Sequence, residues 1–89
     1  VLEYINDVPR LISHLSNFVS MIIASYAVTD KNPKINKRRA LGWVNDYTDA
    51  QIINIFENAG FQCDYNQEWQ SPVIKSQVIY KFTKKEFSQ

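Results

Sequence analysis

Apolar side chains along this chain change their spacing several times, and each change marks a predicted element. Val1-Leu2-Glu3-Tyr4-Ile5 is apolar and β-branched enough for a short strand. Asp7 then serves as a helix N-cap. Pro9 falls in the first turn, where a missing N–H leaves no hydrogen bond unmade. Val8, Leu11, Ile12, Leu15 and Phe18 follow at helical spacing and form one stripe, with Arg10, Ser13, His14 and Asn17 mostly opposite. Met21 to Val28 is apolar on both faces, as in a strand covered by helices on each side of a parallel sheet. Strand, helix and strand together predict a right-handed βαβ unit.

Thr29 to Tyr47 breaks this rhythm and is expected to be a long connection without clear regular structure. Asp30-Lys31-Asn32-Pro33-Lys34 is turn-forming, Lys37-Arg38-Arg39 is a basic cluster, and Ala40-Leu41-Gly42-Trp43-Val44-Asn45 is more apolar. Thr48 and Gln51 then match the spacing of a capping box, and Asp49 complements the positive helix end. Ile52, Ile53, Ile55, Phe56 and Ala59 supply that helix's buried face, and Gly60 lets the chain leave in a left-handed turn. Phe61 to Trp69 alternates as a half-exposed strand does, and Gln70-Ser71-Pro72 interrupts it. Ser76 to Thr83 alternates again with Val78, Tyr80 and Phe82 on one face, so the last two strands are expected to be antiparallel neighbours.

Composition narrows the function classes. The 89 residues are 45% hydrophobic and 21% charged, a balance that belongs to one small globular domain rather than a disordered chain. A chain of this size buries only about 60–65% of its unfolded surface, so its stability is expected to be marginal. Ten basic against nine acidic residues leave +1, which gives no general attraction to nucleic acid or anionic membranes. Cys63 is the only cysteine and His14 the only histidine, which removes intrachain disulfides, four-cysteine zinc sites and histidine-rich metal sites. The cysteine usage suits a reducing compartment, and the expected location is cytoplasmic. Neither a membrane span nor a signal peptide is expected.

The order β-α-β-(long loop)-α-β-β, with these residues, resembles the C-terminal half of class I S-adenosylmethionine-dependent methyltransferases. The resemblance rests on Val1-Leu2-Glu3-Tyr4-Ile5-Asn6-Asp7-Val8, on Ala40-Leu41-Gly42-Trp43-Val44-Asn45, and on the helix end Phe56-Glu57-Asn58-Ala59-Gly60-Phe61. It spans nearly the whole chain but about half of a typical family domain. It implies an α/β, partial Rossmann-like fold with a mostly parallel four-stranded sheet. The order would be 1-2-4-3 in this chain's own strands, the last one antiparallel. Residues 1–89 would then be a single domain, the C-terminal half of a larger methyltransferase domain.

That resemblance also directs attention to particular residues. Glu3 and Tyr4 would lie at the carboxyl end of a parallel strand, where they would border the methyl-donor pocket of the complete enzyme. The alternative is that Glu3 is a solvated carboxylate and Tyr4 caps the core. Tyr26 ends the second predicted strand on the same edge, either meeting substrate or burying its ring with the hydroxyl at the rim. Trp43 and Asn45 would shape an acceptor pocket, indole as a wall and amide as a directional hydrogen bond, unless Trp43 merely plugs the gap between loop and sheet. Lys37, Arg38 and Arg39 would grip a phosphate or carboxylate, or simply be solvated near Asp46 and Asp49. His14 is expected at the surface and Cys63 in the core. No nucleophile–base pair stands out.

The only glycines are Gly42 and Gly60, and neither belongs to the glycine-rich turn with which this family approaches its cofactor. S-adenosylmethionine is therefore expected in a full-length parent and not on this chain alone, which would be inactive by itself. The parent would methylate a small-molecule acceptor. The rival expectation is a non-catalytic α/β interaction module. In either case the first predicted strand is an exposed sheet edge, which predicts a homodimer.

Overall fold

The computed structural model of the chain describes residues 2–69 and 77–85. Its elements run as a 3-10 helix at Leu2–Tyr4, α1 at Val8–Leu15, β1 at Met21–Tyr26, α2 at Ile35–Ala40, α3 at Asp49–Asn58, β2 at Phe61–Trp69 and β3 at Gln77–Lys84. The sheet has three strands in the order β1-β3-β2, and both pairings are antiparallel. The mostly parallel, four-stranded Rossmann-like sheet expected from the sequence is therefore not formed.

The missing strand has a clear physical reason. Residues 2–5 close a tight turn, with Ile5 N–H donating to the Leu2 carbonyl at 3.1 Å. The backbone groups that a strand would offer to a neighbour are taken instead by the loop at 44–45. Asn45 Nδ2 donates to the carbonyls of Leu2 and Ile5, both at 2.8 Å, and Val44 N–H donates to that of Glu3 at 2.8 Å. With this segment helical, β1 has no parallel neighbour among the described residues, and the edge strand expected from the first residues, through which a homodimer was expected to form, is not present at 2–5. Val1 itself lies outside the described residues, as do Gln70-Ser71-Pro72 and Ser76. The last strand lies between the other two, so β1 and β2 run in the same direction on either side of it.

The helices form where their caps and stripes dictate. Asp7 accepts from Arg10 N–H at 3.1 Å to start α1, which buries Val8 and Ile12. This helix ends at Leu15, short of the expected stripe, and Phe18 is 73% exposed in the turn beyond it. Thr48 and Gln51 close a full capping box at the start of α3, which buries Ile52 and Phe56. Gly60, at φ +96°, then turns the chain into β2. The expected irregular connection contains α2, a short helix whose one buried residue is Arg38.

Among the described residues, core packing lies on one face of the sheet. Val8, Ile12, Ile52 and Phe56 meet Tyr26, Phe61, Val78, Tyr80 and Phe82, with the Phe56 and Phe82 rings stacked at 3.8 Å and 1°. The other face carries Met21 and Ile23, 51% and 66% exposed, so β1 is not covered on both sides. In β2 a bulge falls between Cys63 and Tyr65, which leaves Asp64 unpaired. Phe61 and Cys63 face the core before the bulge, whereas Tyr65 faces away after it and is exposed.

Candidate functional site

Four of the five residues singled out from the sequence converge at the carboxyl end of β1, around a residue whose role was not anticipated. Arg38 is 1% exposed and uses all five of its guanidinium N–H groups. Nε donates to Asp46 Oδ1 at 2.8 Å. Nη1 donates to the carbonyls of Ala27 at 2.7 Å and Asn32 at 3.2 Å. Nη2 donates to the Tyr26 hydroxyl at 3.0 Å and the Asn45 carbonyl at 2.9 Å. The guanidinium also lies 5.0 Å from the Trp43 ring centre and 5.7 Å from that of Tyr26.

Around it the polar groups are equally engaged. The Tyr26 hydroxyl donates to Asn45 Oδ1 and accepts from Tyr47 N–H at 3.0 Å as well as from Arg38. Asn45 commits its amide N–H groups to Leu2 and Ile5. Glu3, buried like Asn45, accepts the Ala27 N–H on Oε2 at 2.9 Å. Trp43 is buried and its carbonyl accepts from Arg39 Nη1 at 2.9 Å. Among the described residues no buried side-chain nitrogen or oxygen is left without a partner. Buried and hydrogen-bonded, these groups position the loop at 43–47 against β1.

Tyr4 is the exception, at 57% exposed. Its ring lies over Gly42, where an added Cβ would stand 3.4 Å from Tyr4 Cε1 at a backbone φ of +84°. Tyr4, Leu41 and Val44 all stay exposed in the two segments that Val44 and Asn45 tie together. Of the basic cluster, Lys37 is exposed and Arg38 is internal. Arg39 grips Asp46 with Nη2 at 2.6 Å and Nη1 at 3.0 Å. The Arg39 hydrogen bond, helped by Arg38, holds the Asp46 carboxyl below the usual carboxylate range, and Asp46 in turn raises Arg39. Burial pushes the Tyr26 hydroxyl above the usual tyrosine value, against the opposing pull of Tyr47 N–H and Arg38. His14 is exposed beside Phe18, and Cys63 is half-buried with its thiol pushed up by burial.

An open cleft of about 310 Å³ lies at the carboxyl ends of β1 and β2. Its lining includes Asp30, Lys31, Asp49, Glu68 and Val78. One ion pair and two hydrogen bonds engage its charged groups. Lys31 meets Glu68 at 3.2 Å, Asp30 accepts the Asp49 N–H at 2.7 Å, and the Tyr80 hydroxyl donates to Asp49. Burial above all, reinforced by that hydrogen bond, pushes the Tyr80 hydroxyl far above the ordinary tyrosine range.

Of the two residues expected to border a methyl donor, one is internal and one is open to solvent. Glu3 is turned inward onto Ala27, and Tyr4 is exposed. Among the described residues no group of three or more His, Cys, Asp and Glu side chains is arranged to hold a metal ion. None of the described helices is long and apolar enough to cross a membrane. No protein family, curated protein or solved structure matches the chain.

Arg38 carried a faint signal in the sequence. It is three residues from Ile35 and five from Trp43, in a connection that also holds Asp46. Its other partners are backbone carbonyls and one hydroxyl, which leave no mark on residue spacing.

Proposed function

We propose that this chain is the C-terminal portion of an S-adenosylmethionine-dependent methyltransferase domain that acts on a small acceptor, and that it is inactive alone. The observation that carries this reading is the junction between two of the segments on which the resemblance rests. Asn45 and Val44, from the loop, hold Leu2, Glu3 and Ile5 by three hydrogen bonds to their carbonyls. The last strand, lying between and antiparallel to its neighbours, supports the reading further.

In this reading S-adenosylmethionine supplies the electrophilic methyl group when it is bound to the whole enzyme. Such a transfer depends mainly on holding donor and acceptor together in line. The work of this chain's residues is to fix a surface. Arg38, Tyr26 and Asn45 are positioning residues that lock the loop at 43–47, and Tyr4, Leu41 and Val44 form the wall that this loop presents. A cytoplasmic location accompanies the reading.

One observation favours the rival, a non-catalytic module that associates through a sheet edge: the uncharged outer edge of β1. The two readings separate on S-adenosylmethionine binding by the natural translation product that carries this chain. Binding is expected for a methyltransferase, and its absence would defeat that reading.

A further inference from the structure

The sheet has two edges, and they are guarded very differently. β2 carries a bulge at Asp64 and two carboxylates, Asp64 and Glu68, the usual devices by which an edge strand refuses a partner. β1 has none of these. Met21-Ile22-Ile23-Ala24-Ser25-Tyr26 holds no charge and no proline, and its register with β3 is unbroken from Met21 to Tyr26. Only the carboxyl end of its outer side is covered, where Ala27 N–H meets Glu3. Among the described residues, nothing pairs with the outward backbone groups of Met21 to Ser25. Met21 and Ile23 stand beside them on the open face of the sheet.

The geometry points to a homodimer formed by antiparallel pairing of β1 with β1 of a second copy, across a two-fold axis near Ile23. This occupant is favoured by charge. In antiparallel self-pairing about a two-fold axis, a charged residue near the centre faces its own like, a clash that this strand avoids entirely. Pairing about Ile23 sets Ile23 against Ile23, Ile22 against Ala24 and Met21 against Ser25. Partners then share a face, so each core side stays inward. The result is a six-stranded sheet, β2-β3-β1-β1-β3-β2, with Met21 and Ile23 of both copies joined in one apolar patch. The inference concerns the 89-residue chain and does not rest on the methyltransferase reading.

Sedimentation velocity over a concentration series tests it on three proteins. The chain itself should pass from monomer to dimer as concentration rises. Ile23→Lys changes an exposed side chain and keeps the fold by circular dichroism. It should weaken the dimer by at least about tenfold by placing like charges together at the axis. Gln67→Lys, on the guarded strand, should leave the dimer unchanged. Hydrogen exchange at high against low concentration should show protection gained within Met21–Ser25. A chain that stays monomeric throughout, a dimer that survives Ile23→Lys, or protection gained on β2 instead would each overturn the inference.

Discussion

Arg38 commits every N–H of its guanidinium to four backbone or side-chain partners around β1 and to the Asp46 carboxylate. Replacing it with methionine keeps much of its volume but leaves the Ala27 and Asn45 carbonyls buried and unpaired. Arg38→Met should therefore lose about 3–5 kcal/mol of stability, a large share of what a small domain has, read by urea denaturation. Arg38→Lys should recover only part of this, since three N–H groups cannot replace five. The same cluster sets the pH limits. Asp46 has a folded pKa below its ordinary value, so its contribution is complete above about pH 4. That contribution is lost as pH falls through the depressed pKa, and Asp46→Asn should flatten the acid limb. Tyr26 and Tyr80 have raised values, so stability holds below about pH 10 and declines above it as the unfolded chain ionises first. Thermal melts across pH, followed by circular dichroism, check both limbs. Burial of the Tyr26 ring was legible from its place at a strand end. The saturation of its hydroxyl by Asn45, Arg38 and Tyr47 was not, because those partners lie far apart in sequence.

At the scale of elements, what the sequence announces is what has a period or a cap. The stripe of Val8 and Ile12, the Thr48–Gln51 box and the alternation of Val78, Tyr80 and Phe82 all appear in the folded chain. Short apolar runs carry less information. Val1 to Ile5 has the composition of a strand, yet Asn45 and Val44 capture its carbonyls and residues 2–4 coil into a 3-10 turn. A single bulge at Asp64 likewise reverses the faces of the rest of β2, which no residue-level pattern records. Gly60 offers a clean test of element termination. An added Cβ there meets nothing within 4 Å, so Gly60→Ala reports the backbone at φ +96° alone. It should cost about 1 kcal/mol in urea denaturation. A substitution without effect would show that α3 does not depend on this turn.

The described residues form a two-layer arrangement, with α1 and α3 packed on one face of a three-stranded antiparallel sheet and Met21 and Ile23 exposed on the other. Its polar centre ties the amino-terminal turn, the end of β1 and the loop at 43–47 into one unit. That unit presents Tyr4, Leu41 and Val44 outward and keeps Glu3, Tyr26, Trp43 and Asn45 inward. In the reading proposed above, this unit is one wall of a binding surface and methyl transfer belongs to a larger protein. The most direct test is a paired calorimetric titration of S-adenosylmethionine, into the 89-residue chain and into the natural translation product that carries it. The account predicts no measurable binding to the chain and saturable, one-to-one binding to the longer protein. Tight binding to the chain alone, or none to the longer protein, would contradict it.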